Sequence, residues 1–194
     1  MNTLYQLDTS ILFWFNSWVG WRDWIDWTIF FRVEILPYFF MAGFLLFALF
    51  YKNGEQKIKN RLLIIEALAA VLISRFIITE IIRLFYNRPR PFEIIEGLNH
   101  LLEHAPDYSF PSGHAAFFFP IAVTVFLYYK KTGALFIFAA LQLTLTRVAA
   151  GFHWPSDILV GIIVAAISSL SVHYYEKKLS LPFKDKIVNF CRKF

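Results

Sequence analysis

Five long apolar stretches constrain this chain more than any other feature of its sequence. Four carry no charged side chain and the second carries three; the stretches are Ile35–Tyr51, Leu62–Ile82, Ala115–Tyr129, Gly133–Thr146 and Ile158–Tyr175. With its flanks, each reaches about 20 residues, which is the length that crosses a bilayer as a helix. Because lipid offers the backbone no hydrogen-bond partner, every span must be helical. The sequence therefore predicts an all-α, multi-pass transmembrane helical bundle with five spans.

The composition excludes a soluble protein. Hydrophobic residues make up 58% of the 194 residues and charged residues 17%, against about 45–50% and about 25% in soluble domains. A globule of this size has too much surface to hide that apolar content from water. The net charge of +5 would suggest a nucleic-acid partner in a soluble protein, but in a membrane protein it first reflects topology. We therefore predict a single integral membrane domain over residues 1–194 and no nucleic-acid partner.

The lysines indicate which end of the bundle faces the cytoplasm. All of them lie in the segments 52–61, 130–131 and 177–193. With five spans, these segments fall on one side, and an excess of basic residues in short loops marks the cytoplasmic side. The sequence thus predicts a cytoplasmic C-terminus in the cell (inner) membrane. Three parts of the chain then lie on the periplasmic or extracellular side: residues 1–34, the loop near 83–111 and the turn 151–155.

Residues 1–34 are amphipathic, and two placements are open for them. Charged residues alternate with five tryptophans, Trp14, Trp18, Trp21, Trp24 and Trp27. A sixth span through Ile11–Phe31 would bury Arg22, Asp23 and Asp26 near its middle, at about 3 kcal/mol each. Because tryptophan is enriched at the membrane–water boundary, we favour an interfacial helix or helix pair on the outer side over a sixth span.

Polar residues on the outer side concentrate in three motifs. The first follows the second span, the second opens the third span, and the third joins the fourth span to the fifth. In one-letter code they are RLFYNRPRP (83–91), FPSGH (110–114) and TRVAAGFHWPSD (146–157). Their four basic residues are all arginines, Arg83, Arg88, Arg90 and Arg147. Since the three motifs reach the same membrane face, the bundle can bring them together.

These side chains suit the binding and hydrolysis of a phosphate group. Guanidinium groups match phosphate oxygens bidentately, and the first N–H groups of a helix that starts at Ser112–Gly113 point at a bound anion. His114 and His153 supply a nucleophile and a proton donor, and Asp157 is spaced to hold one imidazole nitrogen. Acidic residues are sparse in the motifs, and Cys191 is the sole cysteine. We therefore expect a metal-free phosphate-ester or diphosphate hydrolase that acts through a phosphohistidine and needs no cofactor.

Together, the motifs resemble the type 2 phosphatidic acid phosphatase (PAP2) superfamily. In this chain they are Arg83-x6-Arg90-Pro91, Pro111-Ser112-Gly113-His114 and Thr146-Arg147-x5-His153-x3-Asp157, in the family's order and spacing. Arg83 stands where the family usually has Lys, and Thr146 where it usually has Ser. Both replacements keep the charge or the hydroxyl, so the resemblance implies an active enzyme whose motif-bearing region covers residues 83–157.

The resemblance implies a role for each motif residue. His153 would attack phosphorus, Asp157 would orient His153 and stabilise its imidazolium, and His114 would protonate the leaving oxygen and then activate water. The remaining residues would stabilise charge on the phosphate oxygens: Arg83, Arg90, Ser112, Gly113 and Arg147. Lipid phosphates are the substrates it implies, namely undecaprenyl diphosphate, phosphatidylglycerol phosphate, phosphatidate or lipid A phosphate. We favour undecaprenyl diphosphate, because a compact enzyme with an outer-face site suits the recycling of a cell-wall lipid carrier.

Other hypotheses stand beside this one. The arginines also suit a carrier or channel that binds phosphate lipids without turnover. A vanadium haloperoxidase shares the phosphate-site constellation, but such enzymes are typically larger and soluble. For His100 and His104, which lie among acidic residues of the outer loop, we favour a solvated loop over a metal site. Arg75 lies deep in the second span without an identified partner, and Glu80 is spaced to pair with Arg83 on one helix.

Overall fold

The computed structural model describes residues 3–49, 54–99, 101–102 and 107–191, and these residues form helices and no strand. The helices are α1 (Thr3–Asn16), α2 (Asp23–Phe30), α3 (Leu36–Leu49), α4 (Gly54–Val71), α5 (Thr79–Phe85), α6 (Pro91–Ile94), α7 (Gly113–Tyr128), α8 (Lys130–Ala149) and α9 (Pro155–Cys191). Two π-helical segments, Phe31–Ile35 and Leu72–Ile78, join α2 to α3 and α4 to α5. The predicted all-α fold is confirmed.

Four helical stretches are long and apolar enough to cross a membrane, Asp23–Leu49, Ile58–Phe85, Lys130–Ala149 and Pro155–Leu179. Together with the shorter α7, they contain the described parts of all five predicted spans except Tyr129, which follows the last residue of α7. The shortest predicted stretch, Gly133–Thr146, is part of a longer helix, because α8 begins at Lys130 and ends at Ala149. The protein is therefore a multi-pass integral membrane bundle, as the sequence predicts.

Helix α7 is short because it lies inside the bundle. Its 16 residues extend about 24 Å at 1.5 Å per residue, less than the roughly 30 Å of a hydrocarbon core. It begins after Ser112, whose Oγ accepts a hydrogen bond from the Ala115 N–H at 3.4 Å, and ends where Tyr129 is extended. Helices α4, α8 and α9 pack around it. A helix enclosed by others does not have to match the membrane thickness alone.

The N-terminal residues are divided differently from the prediction. Helix α1 ends at Asn16, the chain turns with Gly20 at a φ of 80°, and α2 begins at Asp23. A sixth span through Ile11–Phe31 is therefore wrong, because this break lies in its middle. The boundary at residue 34 does not coincide with a helix end, because α2 runs through the π segment into α3 as one helical stretch of 27 residues; the interfacial placement of residues 1–34 stays a prediction. The five tryptophans are exposed, and their location at a membrane boundary stays a prediction.

The two ends of the bundle differ chemically. At the end where α4 begins and α7 gives way to α8, Tyr129 Oη donates to Asn60 Oδ1 at 2.7 Å and Lys59 Nζ lies 4.4 Å from the Tyr129 ring centroid. The described lysines belong to this end. At the other end the chain leaves α5, enters α7 and turns from α8 into α9, so all three motifs lie there. The side of the membrane that each end faces stays a prediction.

Candidate active site

The three motifs meet at one cavity of about 290 Å³, at the end of the bundle opposite the described lysines. The π segment before α5, the loop before α7, the start of α7 and the turn before α9 each contribute side chains to its wall. The lining residues are Arg75, Arg83, Arg90, Asp107, Gly113, His114, Phe117, Phe118 and His153. Five of the eight predicted site residues are among them. The fold thus brings both histidines and two motif arginines to one place.

The turn between α8 and α9 places His153 as a buried candidate nucleophile, 1% exposed. Its Nδ1 lies 2.9 Å from the carbonyl oxygen of Ser109. Because a carbonyl oxygen only accepts, Nδ1 carries the proton and Nε2 keeps its lone pair. Nε2 lies 3.5 Å from Nη1 of Arg90. The ring therefore turns its unprotonated nitrogen toward the arginines of the cavity.

Burial lowers the pKa of His153 below its ordinary value of 6.5, and the positive charges of Arg90 and Arg147 lower it further. The carboxylate of Asp157 opposes this shift, with Oδ2 3.6 Å from Nδ1 of the histidine. The net effect is a lowered pKa. At neutral pH His153 is therefore an uncharged imidazole, which is the nucleophilic form.

Asp157 is fully buried and is hydrogen-bonded mainly to other groups. Its Oδ2 accepts the Trp154 N–H at 2.9 Å, which caps the first turn of α9, and its Oδ1 accepts from Arg88 at 2.8 Å. The sequence predicts that Asp157 orients His153. In the structure, the orienting hydrogen bond goes to the Ser109 carbonyl, and Asp157 contributes a negative charge 3.6 Å away.

Arg90 is held rigidly beside His153. Its Nε pairs with Asp107, and its Nη1 donates to the Phe152 carbonyl oxygen at 2.6 Å. Its backbone N–H donates to Glu93 at 2.8 Å and starts α6, whose first residue is proline and needs no acceptor there. The Arg-Pro pair of the first motif is therefore a helix start, and Asp107 and the Phe152 carbonyl hold the guanidinium beside His153.

Arg83 lines the cavity and is held on two sides. Its Nη2 lies 3.4 Å from the Pro111 carbonyl oxygen and its Nη1 3.5 Å from Glu80, which confirms the predicted ion pair. Its Nε is buried and has no hydrogen-bond partner within the described part of the chain. A buried N–H without a partner is costly unless it meets an acceptor. Arg83 therefore keeps one buried N–H unpaired in the described part of the chain.

The second motif joins the site through its backbone. The Ser112 N–H donates to the Asp157 carbonyl oxygen at 3.1 Å, which ties the start of α7 to the first turn of α9. A Cβ on Gly113 would lie 3.0 Å from Arg75 Nε, so glycine leaves room for that side chain. His114 lines the cavity and stacks against Phe118 with ring centroids 6.2 Å apart. It therefore shares the cavity with His153, as a proton donor requires.

Arg147 lies near the cavity without lining it. It is buried in the last turn of α8 and donates from Nη2 to the Val33 carbonyl oxygen at 3.1 Å. Its Nε finds no partner among the residues that the structure describes. Ser112 and Asp157 are likewise outside the described lining. For Arg147 and Ser112, direct contact with a phosphate stays a prediction; the role predicted for Asp157 is to act on His153 and needs no such contact.

The structure differs from the sequence prediction in which arginines reach the cavity. Arg88 does not line the cavity, because Asp8 of α1 and Asp157 hold its guanidinium at 2.7 and 2.8 Å. Arg75 lines the cavity instead and pairs with Glu80. The position of Arg75 inside an apolar span already marked it as a candidate functional residue, because ionisable residues are rare there. No local pattern could reveal Asp8, because its partner lies 80 residues away.

Among the described residues, no group of three or more His, Cys, Asp or Glu side chains is arranged to hold a metal ion. His100 and His104 lie outside the described residues. The solvated loop favoured for them therefore stays a prediction.

Comparisons with known proteins agree with this site. The profile of the PAP2 superfamily matches residues 63–180, which contain all three motifs. The bacitracin transport permease protein BcrC of Bacillus licheniformis is 33% identical over 152 residues, which cover 78% of this chain and 72% of that protein. The undecaprenyl-diphosphatase BcrC of Bacillus subtilis is 31% identical over 116 residues, which cover 60% of this chain and 59% of that protein.

A solved structure shows the same fold. The crystal structure of Aquifex aeolicus LpxE superposes with a TM-score of 0.68 at 22% identity, covering 87% of this chain and 96% of that one. The family profile covers more than half of the chain, and the motif residues that line the cavity lie inside it. The chain therefore belongs to the PAP2 superfamily and is an integral membrane phosphatase.

Proposed function

We propose that this protein removes the terminal phosphate of a lipid diphosphate through a phosphohistidine on His153, converting undecaprenyl diphosphate to undecaprenyl phosphate. The observation that carries the proposal is the imidazole whose Nδ1–H is bound by the Ser109 carbonyl and whose Nε2 faces Arg90 in the cavity. The Bacillus subtilis relative named undecaprenyl-diphosphatase supports this choice of lipid.

In the first step, Nε2 of His153 attacks the terminal phosphorus and forms a P–N bond. The bond from phosphorus to the bridging oxygen breaks, and its electron pair leaves with the lipid monophosphate. The His114 imidazolium donates a proton to that oxygen. Arg83 and Arg90 stabilise the charge on the equatorial oxygens, and the carboxylate of Asp157 stabilises the positive ring.

In the second step, water attacks the phosphohistidine. The P–N bond breaks, and its electron pair returns to Nε2 of His153. His114, neutral after the first step, accepts the proton of the attacking water. Inorganic phosphate leaves, and both histidines return to their starting protonation states. One water and two histidines therefore balance all protons and electron pairs.

The site is proposed to face the periplasm or the cell exterior. The described lysines lie at the opposite end of the bundle from the motifs, and basic loop residues mark the cytoplasmic side. A lipid diphosphate that reaches the outer leaflet would present its charged group to the cavity there.

Phosphate release in detergent tests the proposal. Wild-type protein is expected to release phosphate from undecaprenyl diphosphate in the presence of EDTA, and His153→Ala is expected to lose about 10³-fold or more in kcat because no nucleophile remains. Protein quenched during turnover of labelled substrate should carry an acid-labile, alkali-stable phosphate that His153→Ala lacks. Full activity of His153→Ala, or a strict need for a divalent cation, contradicts the proposal.

Because the family profile and the relative named undecaprenyl-diphosphatase indicate a phosphatase, we do not adopt a non-catalytic carrier, although the Bacillus licheniformis relative is named a transport permease protein. The substrate is decided by measuring kcat/KM for four lipids in parallel: undecaprenyl diphosphate, phosphatidylglycerol phosphate, phosphatidate and lipid A. The prenyl assignment is wrong if one of these other lipids has the higher kcat/KM.

A further inference from the structure

Arg75 adds to the cavity a guanidinium that the three motifs do not contain. It lines the same cavity as Arg83, Arg90 and both histidines, and its side chain is one-quarter exposed. Hydrolysis of a single phosphate is already served by the motif residues. A further cation at the same cavity therefore needs its own explanation.

The π-helical segment Leu72–Ile78 places Arg75 in the cavity. In an α-helix, side chains five residues apart point about 140° away from each other. In a π-helix, which bonds residue i to residue i+5, they share a face. This local widening lets Arg75 pair with Glu80, five residues on, while Glu80 also contacts Arg83 at 3.5 Å. One carboxylate thus holds two guanidinium groups side by side.

These two arginines flank the start of α7. A Cβ built on Gly113 would lie 3.0 Å from Arg75 Nε and 3.5 Å from Arg83 Nη2. Arg90, by contrast, lies 3.5 Å from Nε2 of His153, where the attacked phosphate must sit. The cavity therefore has one guanidinium at the nucleophile and a pair at the helix start.

The charges of the cavity favour a ligand with more than one phosphate. Arg75, Arg83 and Arg90 line it, and the opposing carboxylates of Glu80 and Asp107 are 48% and 50% exposed. Because solvent screens half-exposed carboxylates, they offset the guanidinium charges incompletely. A diphosphate ester carries more negative charge than a monophosphate ester and spans two adjacent phosphorus positions.

We propose that Arg75 binds the second phosphate of a diphosphate substrate, the one that stays on the lipid, and thereby selects diphosphate over monophosphate lipids. This inference rests on the proposed function. When the bond to the bridging oxygen breaks, negative charge develops on the departing phosphate, and the Arg75 guanidinium stabilises it. A lipid monophosphate departs as an alcohol and offers Arg75 no phosphate.

A pair of substrates with one tail tests the proposal, farnesyl diphosphate and farnesyl monophosphate. Arg75→Gln is expected to lower kcat/KM for the diphosphate about tenfold or more, as for the loss of one charge-assisted hydrogen bond, and for the monophosphate less than about threefold. Arg75→Lys keeps the charge without the fork and should lie between wild type and Arg75→Gln. The exposed Arg22→Gln is the matched control for loss of an arginine elsewhere.

Inhibition supplies a readout that does not depend on monophosphate turnover. Arg75→Gln should raise the inhibition constant of methylenediphosphonate about tenfold and that of inorganic phosphate less than about threefold. If Arg75→Gln lowers kcat/KM equally for both substrates and weakens both inhibitors equally, Arg75 only supports Glu80 and Arg83, and the proposal is wrong. The proposal is also wrong if the variant changes none of these values. Failure of wild-type protein to release phosphate from either lipid would instead contradict the proposed function.

Discussion

At the scale of single residues, the site depends on the different partners of the two His153 ring nitrogens: Nδ1 donates a hydrogen bond and Nε2 faces Arg90. A backbone carbonyl, that of Ser109, takes the Nδ1 proton at 2.9 Å. Asp157 is therefore not needed to fix the tautomer, and its oxygens bind Arg88 and the Trp154 N–H. What Asp157 supplies to His153 is negative charge, which matters most once the ring becomes positive on phosphorylation.

The pH profile separates these contributions. Since burial and nearby arginines lower the pKa of His153, the acid limb of kcat/KM is expected below about pH 6.5, the usual imidazole value. Asp157→Asn removes the charge that opposes the shift, so the pKa falls further and the limb moves to lower pH. Its kcat should fall roughly 10²–10³-fold, as for the loss of one group that stabilises transition-state charge. A limb that moves to higher pH in this variant contradicts the assignment.

At the scale of elements, the site is built where α9 crosses the start of α7. The Ser112 N–H bonds to the Asp157 carbonyl oxygen across this crossing. Gly161, one turn further along α9, allows the approach, because a Cβ there would lie 2.6 Å from the Ala115 Cβ and 3.0 Å from the Ser112 carbonyl oxygen. The spacing of the two helices therefore determines how Asp157 and the second motif face each other.

Gly161→Ala should consequently separate the two helices. We expect a loss of about 1–3 kcal/mol in stability from overpacking, seen as a lower Tm in detergent, together with lower kcat. Gly43→Ala in α3 is the matched control, because nothing lies within 4 Å of its Cβ position. That variant should be neutral or stabilised by about 0.5–1 kcal/mol. Equal Tm values for the two variants would show that the crossing tolerates a methyl group.

At the scale of the whole molecule, the bundle separates its charges by end. The described lysines lie at one end and the arginines of the motifs at the other. The N-terminal helix α1 docks at the motif end, where Asp8 contacts Arg88 at 2.7 Å and Asn16 Nδ2 donates to the Ala149 carbonyl oxygen at 2.8 Å. The proposed topology therefore predicts that α1 and the cavity share the outer side.

Chemical labelling checks this topology, because Cys191 is the sole cysteine. A membrane-impermeant maleimide is expected to label the wild-type protein in inside-out vesicles and not in right-side-out vesicles. Trp21→Cys in a Cys191→Ser background places the label in the exposed turn after α1 and should give the opposite result. Labelling of Cys191 from outside would reverse the proposed orientation.

The sequence was sufficient for features that depend on local composition and motif spacing. Apolar stretches in lipid must be helical, so the helical bundle followed directly from composition. Both histidines of the cavity and two of its arginines, Arg83 and Arg90, followed from motif spacing. The division of residues 1–34 could not be predicted in this way, because the continuity of α2 with α3 depends on a π-helical segment that no propensity marks.

The sequence by itself determined the membrane bundle, the family and the groups that can carry phosphoryl transfer, because each is recorded in composition or in fixed spacing. Only the tertiary structure decided which arginines face the cavity. Arg88 is turned away by Asp8, and Arg75 is turned inward by the π segment and Glu80. The physical reason is that a guanidinium follows its ion-pair partner. Such partners are set by helix packing and local helix widening, which the order of residues does not display.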